Sequence, residues 1–244
     1  MKKWSLLLLL LLFTSLKMSA QKSEEYKIFF ENADGLSNLY RGPAPLAYRF
    51  LHTGTFFAYG VEFLQGEVIF NNKLYVDVKL NLNSHLDELY LYIKDSERYV
   101  VLNKDFVDFF TLGDRKFVNI KKDSDTEQTS PDPGYYEVLY SNSTLRLLKK
   151  TKKIYSERIN NYSSAATNSK VERIFSPEYS YYLIKGKNVK YVKRLRDIIS
   201  FLGVKRGDVK PFIREKNLDM RHNKDQSFTE IIKFINKKGT TPAK

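Results

Sequence analysis

The chain has 244 residues, a formal net charge of +13 and no cysteine. The absence of cysteine excludes disulfides, thiolate nucleophiles and Cys-based zinc sites, and it argues against the lipid anchor that bacteria attach to a cysteine. The 41 Lys and Arg residues outnumber the 28 Asp and Glu residues, so the protein either meets anionic groups or carries a solvated basic face.

The first 20 residues have the three parts of a signal peptide. Met1-Lys2-Lys3 forms a charged start, an apolar run extends from Leu6 to Phe13, and Ser19-Ala20 places small residues before a cleavage site. The apolar run is far shorter than the roughly 20 residues of a spanning helix, and we predict no transmembrane span. We expect cleavage after Ala20 and export to the periplasm, the cell surface or the extracellular space. Export argues against nucleic acid as a partner.

The body of the chain reads as β-strands. Residues 21–65 show no clear period and are interpreted as an irregular N-terminal segment, whereas residues 66–192 alternate with a period of two. In "LYVDVKLNL" the pattern places Leu74, Val76, Val78, Leu80 and Leu82 on one face. Short connectors such as Asn71-Asn72 favour an antiparallel meander sheet, with an open or partial barrel as its curled form.

The C-terminal part of the chain has helical periodicity. Within residues 193–238, Leu195, Ile198 and Leu202 form an apolar stripe that ends at Gly203. A second helix is predicted from about Asp208, its N-cap candidate, and a third from a capping box of Ser227 and Glu230. Residues 239–244 are predicted to be a tail. The fold class is therefore α+β, with a small basic helical segment after the sheet.

Positive charge is concentrated in this helical part. Residues 183–244 hold 17 Lys and Arg against 6 Asp and Glu, a net charge of +11, whereas residues 21–182 have a net charge of −1. Because apolar residues recur at helical spacing in the same stretch, the cations are expected on the outer faces of packed helices. We predict a basic patch that meets an anionic envelope surface or another envelope protein, with an ordinary solvated face as the alternative. Its predicted members are Lys193, Arg194, Arg196, Lys205, Arg206, Arg214, Lys216, Arg221 and Lys224.

A longer block carries a resemblance. The stretch "GTFFAYGVEFLQGEVIFNNKLYVDVKLNLNSHLDELYLYI" combines a Gly-x-Val strand, an asparagine turn and an alternating strand. The pieces "FVDFFTLGDRKFVNI", "GYYEVLYSNSTLRLLKKTKKIY" and "IISFLGVKRGDVKPFIREKNLD" follow in order. Together they resemble exported, signal-peptide-bearing proteins of Bacteroidetes-type bacteria to which no function is assigned. The resemblance covers most of the mature chain; it implies export to a didermal cell envelope and implies no activity.

Catalytic and metal-binding patterns are weak. The histidines, His52, His85 and His222, stand apart in the sequence, and "NSHLD" around His85 reads as turn chemistry rather than as a catalytic triad. Asp123, Asp125 and Glu127 alternate like the first ligands of a calcium loop, but Gln128 replaces the required glycine and Gly134 the final glutamate. We predict no catalytic residue, no metal site and no cofactor.

These observations favour a non-enzymatic, exported cell-envelope protein with a binding or structural role. A carrier of a lipid or other apolar ligand in a β half-barrel is the first alternative, because a barrel interior can be lined or filled. A hydrolase built from separate Ser, His and Asp residues is the second. The oligomeric state is open.

Overall fold

A computed structural model describes residues 38–121, 131–160 and 170–239. The chain divides into two compact units, Met1–Arg41 and Gly42–Lys244. In the first unit the described part is a 3-10 turn at Asn38–Tyr40 with the residue after it. The predicted signal peptide, the acidic "DSDTE" stretch and the last five residues lie outside the described ranges.

The second unit contains one ten-stranded antiparallel sheet. Its spatial order is β10-β9-β8-β7-β6-β5-β1-β2-β3-β4. The strands are β1 Leu64–Phe70, β2 Lys73–Asn83, β3 Glu88–Ile93, β4 Arg98–Val101, β5 Val107–Leu112, β6 Arg115–Ile120, β7 Gly134–Ser141, β8 Leu145–Asn160, β9 Lys170–Lys185 and β10 Asn188–Val192. The predicted antiparallel meander is thus confirmed, with one departure: after β4 the chain returns to the far side of β1 and continues from β5.

Short turns join most neighbouring strands, as the sequence indicates. Asn71 and Asn72 have φ values of 50° and 61°, the left-handed pair that a type I′ hairpin requires. Gly113 and Gly186, with φ values of 57° and 58°, occupy the turns before β6 and β10. Asparagine and glycine tolerate this backbone region best, so the turn residues help to set the strand register.

The burial pattern of strand β2 differs from the predicted alternation. Asp77 has a φ of 56°, and the pairing with β1 shifts register between Gly66 and Val68, so the two strands contain a bulge. A bulge moves the preceding residues to the opposite face. As a result Tyr75 is buried and Leu74 is exposed, whereas Val78, Leu80 and Leu82 are buried as predicted. Asn81, predicted on the outward face, is also buried, and its amide donates to the carbonyls of Gly60 and Glu62.

The sheet is open but strongly curled. β4 and β10 are its two edges. Five strand spacings separate β2 from β8, which is about 24 Å in a flat sheet. Nevertheless the backbone N–H of Lys153 in β8 donates to the carbonyl of Ser84, next to β2, at 3.1 Å. The segment that precedes β1 lies at the same end of the sheet. In it Thr53 forms a β-bridge with Ile174, and Phe57 forms one with Asn83.

The edge strand β4 is covered by the chain that precedes the sheet. The N–H of Val101 donates to the carbonyl of Pro43 at 2.9 Å. At Gly42 an added Cβ would lie 2.3 Å from the carbonyl oxygen of Val101. Only glycine permits so close an approach of two backbones.

Within the described ranges three helices follow the sheet: α1 Leu195–Leu202, α2 Arg206–Glu215 and α3 Lys224–Gly239. α1 ends at Gly203 in the left-handed conformation, as predicted. Two predicted starts were wrong. α2 begins before Asp208, with Lys205 at the N-cap, and it contains Pro211.

The start of α3 also differs from the prediction. Asn223, not Ser227, lies at the N-cap position, because its side-chain oxygen accepts from the N–H of Gln226 at 3.3 Å. Ser227 is buried inside the helix and donates its hydroxyl to the carbonyl of Asp219 at 2.8 Å. A serine followed by a glutamate three positions later therefore lies one turn into the helix here.

The sheet is buried on both faces where it meets the helices. Leu147 and Leu148 are neighbours on β8 that point to opposite faces, and both are 0% exposed. Leu147 belongs to the cluster that packs Ile198, Phe228 and the rest of the helical stripes against the sheet. Leu148 packs with residues of the other face. The helical segment therefore packs on the sheet.

Candidate functional site: an arginine groove and a polar cleft

The predicted basic residues lie around the helices. Eight of the nine are exposed, and Lys224 is half-buried. Within the described ranges Lys216 is the member that forms an ion pair, with Glu215 at 3.5 Å, and both side chains are more than half exposed. An exposed pair of this kind stabilises a protein little. The other eight form no ion pair with any described residue, and Nζ of Lys193 lies 5.2 Å from the centre of the Tyr191 ring.

Three of these residues share one groove. Arg194, Arg196 and Arg206 line a surface cavity of about 500 Å³, together with Leu195 and Ile199. The two aliphatic side chains are half-buried. A groove lined by both arginines and apolar side chains suits a planar anionic group that is attached to an apolar body.

Local capping positions this groove. The carboxylate of Asp197 accepts backbone N–H bonds from Lys193 and Arg194, both at 2.9 Å, and so fixes the entry into α1. Burial opposes ionisation of this carboxyl, but the two hydrogen bonds and the charge of Arg196 outweigh it, and the pKa of Asp197 is lowered. Asp197 therefore stays ionised and fixes the backbone at Lys193 and Arg194.

Two other members of the predicted set lie elsewhere. Arg221 and Lys224 line a separate cleft of about 380 Å³ at the start of α3, whose inner wall is formed by Lys149 and Tyr181 of the sheet. The structure therefore places five of the nine predicted basic residues in two separate cavities. The other four line neither of these cavities: Lys193, Lys205, Arg214 and Lys216.

The cleft ends on a buried charged contact. Lys149, 5% exposed, places its Nζ 2.5 Å from Oδ2 of Asp225. The hydroxyl of Tyr181 donates to the other oxygen of Asp225 at 2.7 Å. Burial raises the pKa of Tyr181, and the hydrogen bond to Asp225 raises it further, so the phenol remains a donor. Asp225 thereby ties the first turn of α3 to strands β8 and β9.

A second carboxylate lies behind the first. Glu137 is almost fully buried; it accepts from Arg115 at 2.7 Å and from the hydroxyl of Tyr59, and Nζ of Lys149 lies 3.7 Å away. Burial is the main cause that raises the pKa of Tyr59, and the neighbouring Glu137 charge adds to it. Two cations face two carboxylates, so the network is balanced and the buried charges are compensated.

Sequence reasoning missed this network. Lys149 and Asp225 are 76 positions apart, and Tyr59 and Glu137 are 78 apart, so no local spacing links them. The available signal was the run "LLKKTKK", in which Lys149 and Thr151 fall at core positions of an alternating strand. A lysine at such a position requires an anionic partner, but the sequence does not say which one.

His85 does not pair with the neighbouring Asp87, whereas His222 places its Nδ1 2.9 Å from Oδ2 of Asp219. Nδ1 of His85 lies 2.9 Å from the carbonyl oxygen of Lys153, and Asp87 instead forms ion pairs with Lys104 and Lys150. Asn83 accepts from the N–H groups of His85 and Leu86, which is the turn chemistry that the sequence suggests.

Two histidines nevertheless lie in the same aromatic cluster. The rings of His52 and His85 are centred 5.1 Å and 5.2 Å from the ring of Phe175, and Tyr48 contacts both. Across the described ranges, no group of three or more His, Asp and Glu side chains is placed to hold a metal ion. The "DSDTE" stretch lies outside those ranges.

The chain matches no known protein family, no curated protein and no solved structure. Among the helices of the described ranges, none combines the length and hydropathy that a membrane-spanning segment needs.

Proposed function

We propose that the protein is exported to the envelope of a didermal cell and acts there as a non-enzymatic binding protein. Its helical segment docks on an anionic membrane surface. The observation that carries the proposal is the groove in which Arg194, Arg196 and Arg206 lie together without ion-pair partners in the described part of the chain. The signal-peptide pattern and the concentration of charge in residues 183–244 support it.

The expected binding to an anionic membrane is of moderate strength. A cation near an anionic membrane surface contributes about 1 kcal/mol, so three arginines contribute about 3 kcal/mol. This corresponds to a change in partitioning of roughly two orders of magnitude. Salt screens exposed charges beyond about 10 Å at 0.1 M, so docking is expected to weaken as the salt concentration rises.

Co-sedimentation with phospholipid vesicles tests the proposal. Wild-type protein is expected to sediment with vesicles that contain phosphatidylglycerol at low salt, and to remain in solution with pure phosphatidylcholine. The variant Arg194→Gln/Arg196→Gln/Arg206→Gln is expected to lose most of this binding. Equal sedimentation of the wild type and the variant would remove the groove from the proposed role.

Two further variants sharpen the experiment. Lys116→Gln/Arg146→Gln/Lys152→Gln removes the same charge from exposed sheet positions and is expected to reduce binding less than the groove variant. Lys205→Gln/Arg214→Gln/Lys216→Gln removes it from the rest of the helical segment. A loss of binding in all three variants alike would indicate a response to net charge and not to the groove.

The two alternatives from the sequence have less support. At β5 to β7 the sheet is packed with Phe110, Phe117 and Tyr135, each at most 2% exposed, which leaves little room there for a carried ligand. A hydrolase requires a base that is oriented toward a nucleophile, and His85 instead lies against a backbone carbonyl.

A further inference from the structure

An apolar groove lies on a different side of the helical segment. It has a volume of about 480 Å³, and its apolar walls come from β8, α1, the α1–α2 connection, α2 and α3. These wall residues are Leu145, Leu202, Val204, Val209, Phe234 and Ile235. The volume is within the range of roughly 300–1,000 Å³ that is typical of small-molecule sites.

A second cavity lies beside this groove. It has a volume of about 520 Å³ and is bordered by Ser143, Asn188 and Phe201. Thr144 and Lys185 border both cavities, so the two are neighbours at these residues. Together they form a largely apolar trough with a lysine at the junction.

Lys185 supplies the positive charge at this junction. It is exposed, and it forms no ion pair within the described ranges. Asp208 is the acidic residue that borders the apolar groove, and it disfavours an anionic group placed beside it. A ligand with one negative charge is therefore expected to place that charge at Lys185 and its apolar part along the groove.

We propose that this trough binds a single-chain anionic amphiphile of the fatty-acid class. The carboxylate lies at Lys185, and the alkyl chain lies against Leu202, Val204 and Phe234. The site differs from the sheet interior, which the aromatic side chains fill, and from the arginine groove, with which it shares no lining residue. It is independent of membrane docking.

Titration calorimetry with octanoate, decanoate and dodecanoate, each below its micelle concentration, tests the apolar half of the site. Because each buried methylene contributes a fixed transfer free energy, affinity is expected to rise about fourfold per added methylene. The rise levels off when the groove is full. No detectable binding, or binding that does not depend on chain length, would overturn the proposal.

Variants test the position of the carboxylate. Lys185→Gln is expected to weaken dodecanoate binding by up to about fivefold and to leave dodecanol binding unchanged. Lys190→Gln, an exposed lysine on β10 that borders neither cavity, is the matched control. Equal effects of the two variants on dodecanoate binding would refute the assignment of Lys185.

A filling variant tests the groove itself. Val204→Trp is expected to abolish the dependence of affinity on chain length while circular dichroism shows a folded protein. If the tryptophan variant does not fold, Leu202→Ala replaces it in the test. This variant enlarges the groove, so the dependence of affinity on chain length is expected to change in the opposite direction. Unchanged chain-length dependence in a folded variant would exclude this groove. Vesicle docking does not enter any of these measurements, so their failure leaves the proposed function standing.

Discussion

The buried contact between Lys149 and Asp225 gives the sharpest stability prediction. In Lys149→Met the side chain keeps its length and loses its ammonium group. Asp225 then lacks its cation, and Glu137 keeps Arg115 and the hydroxyl of Tyr59 as partners. Helix α3 loses its charged connection to β8.

The expected loss of stability in Lys149→Met follows from how deeply the ion pair is buried. Breaking a fully buried pair costs about 3–5 kcal/mol. Here Asp225 is 35% exposed, so water solvates part of the orphaned carboxylate, and Glu137 remains paired. We therefore expect a loss of about 2–3 kcal/mol in the free energy of unfolding, below the full range. This corresponds to a decrease in Tm of about 4–12 °C for a protein of this size.

Urea unfolding followed by circular dichroism measures this loss, with Lys152→Met as the control. Lys152 lies on the same strand, is exposed and forms no ion pair with any described residue, so its replacement should change stability by about 0.5 kcal/mol or less. In the double variant Lys149→Met/Asp225→Asn the orphaned carboxylate is gone, and part of the loss should return. Equal, small effects of Lys149→Met and Lys152→Met would refute the reasoning.

Four further predictions concern other parts of the chain. Gly66→Ala is expected to lower the free energy of unfolding by about 1–3 kcal/mol, since its Cβ would lie 2.1 Å from a backbone oxygen of the neighbouring strand. Gly60→Ala, which has open space around it, should lower it far less in the same urea titration. The buried tyrosines Tyr59, Tyr135 and Tyr181 have a raised pKa in the folded protein, so the stability that they contribute is present below pH 10 and is lost above it. Because they ionise more readily in the unfolded chain, tyrosinate absorbance should rise together with unfolding and not before it. Hydrogen bonds from His222 and Arg221 lower the pKa of Asp219 from 3.8 to about 2. This carboxyl therefore stabilises the folded state above its unfolded pKa and loses that effect as the pH falls through 2. A carboxyl titration by NMR that gives an ordinary pKa for Asp219 would contradict the prediction. N-terminal sequencing of the envelope fraction should find a chain that begins after Ala20, and an uncut cytoplasmic species would contradict export.

Local patterns predicted most of the strands, the turns and the three helices. They failed where a single residue changes the phase of a pattern. The left-handed backbone at Asp77 reverses the faces at the start of β2, and an aspartate inside an alternating run gives little warning of it. Ser227 misled for a related reason: a capping-box spacing recurs by chance inside an amphipathic helix, and Asn223 one turn earlier has the same chemistry.

The candidate site was less predictable. The sequence identified the cations of the helical segment, because charges left over from an apolar stripe must face solvent. It did not separate those of the arginine groove from Arg221 and Lys224, since that division depends on how the helices pack on the sheet. Lys149 and Asp225 meet only through the tertiary fold.

The covered edge at β4 has a consequence for the protein in a crowded envelope. A ten-stranded sheet offers two rows of backbone groups to which a second copy could add strands, and such growth leads to polymers. Pro43 already occupies the acceptor position beside Val101, and Gly42 allows the covering chain to lie close. Replacement of Gly42 by a larger residue would push this chain outward and expose the edge. We expect the resulting defect to appear first as concentration-dependent self-association, before any loss of the folded monomer.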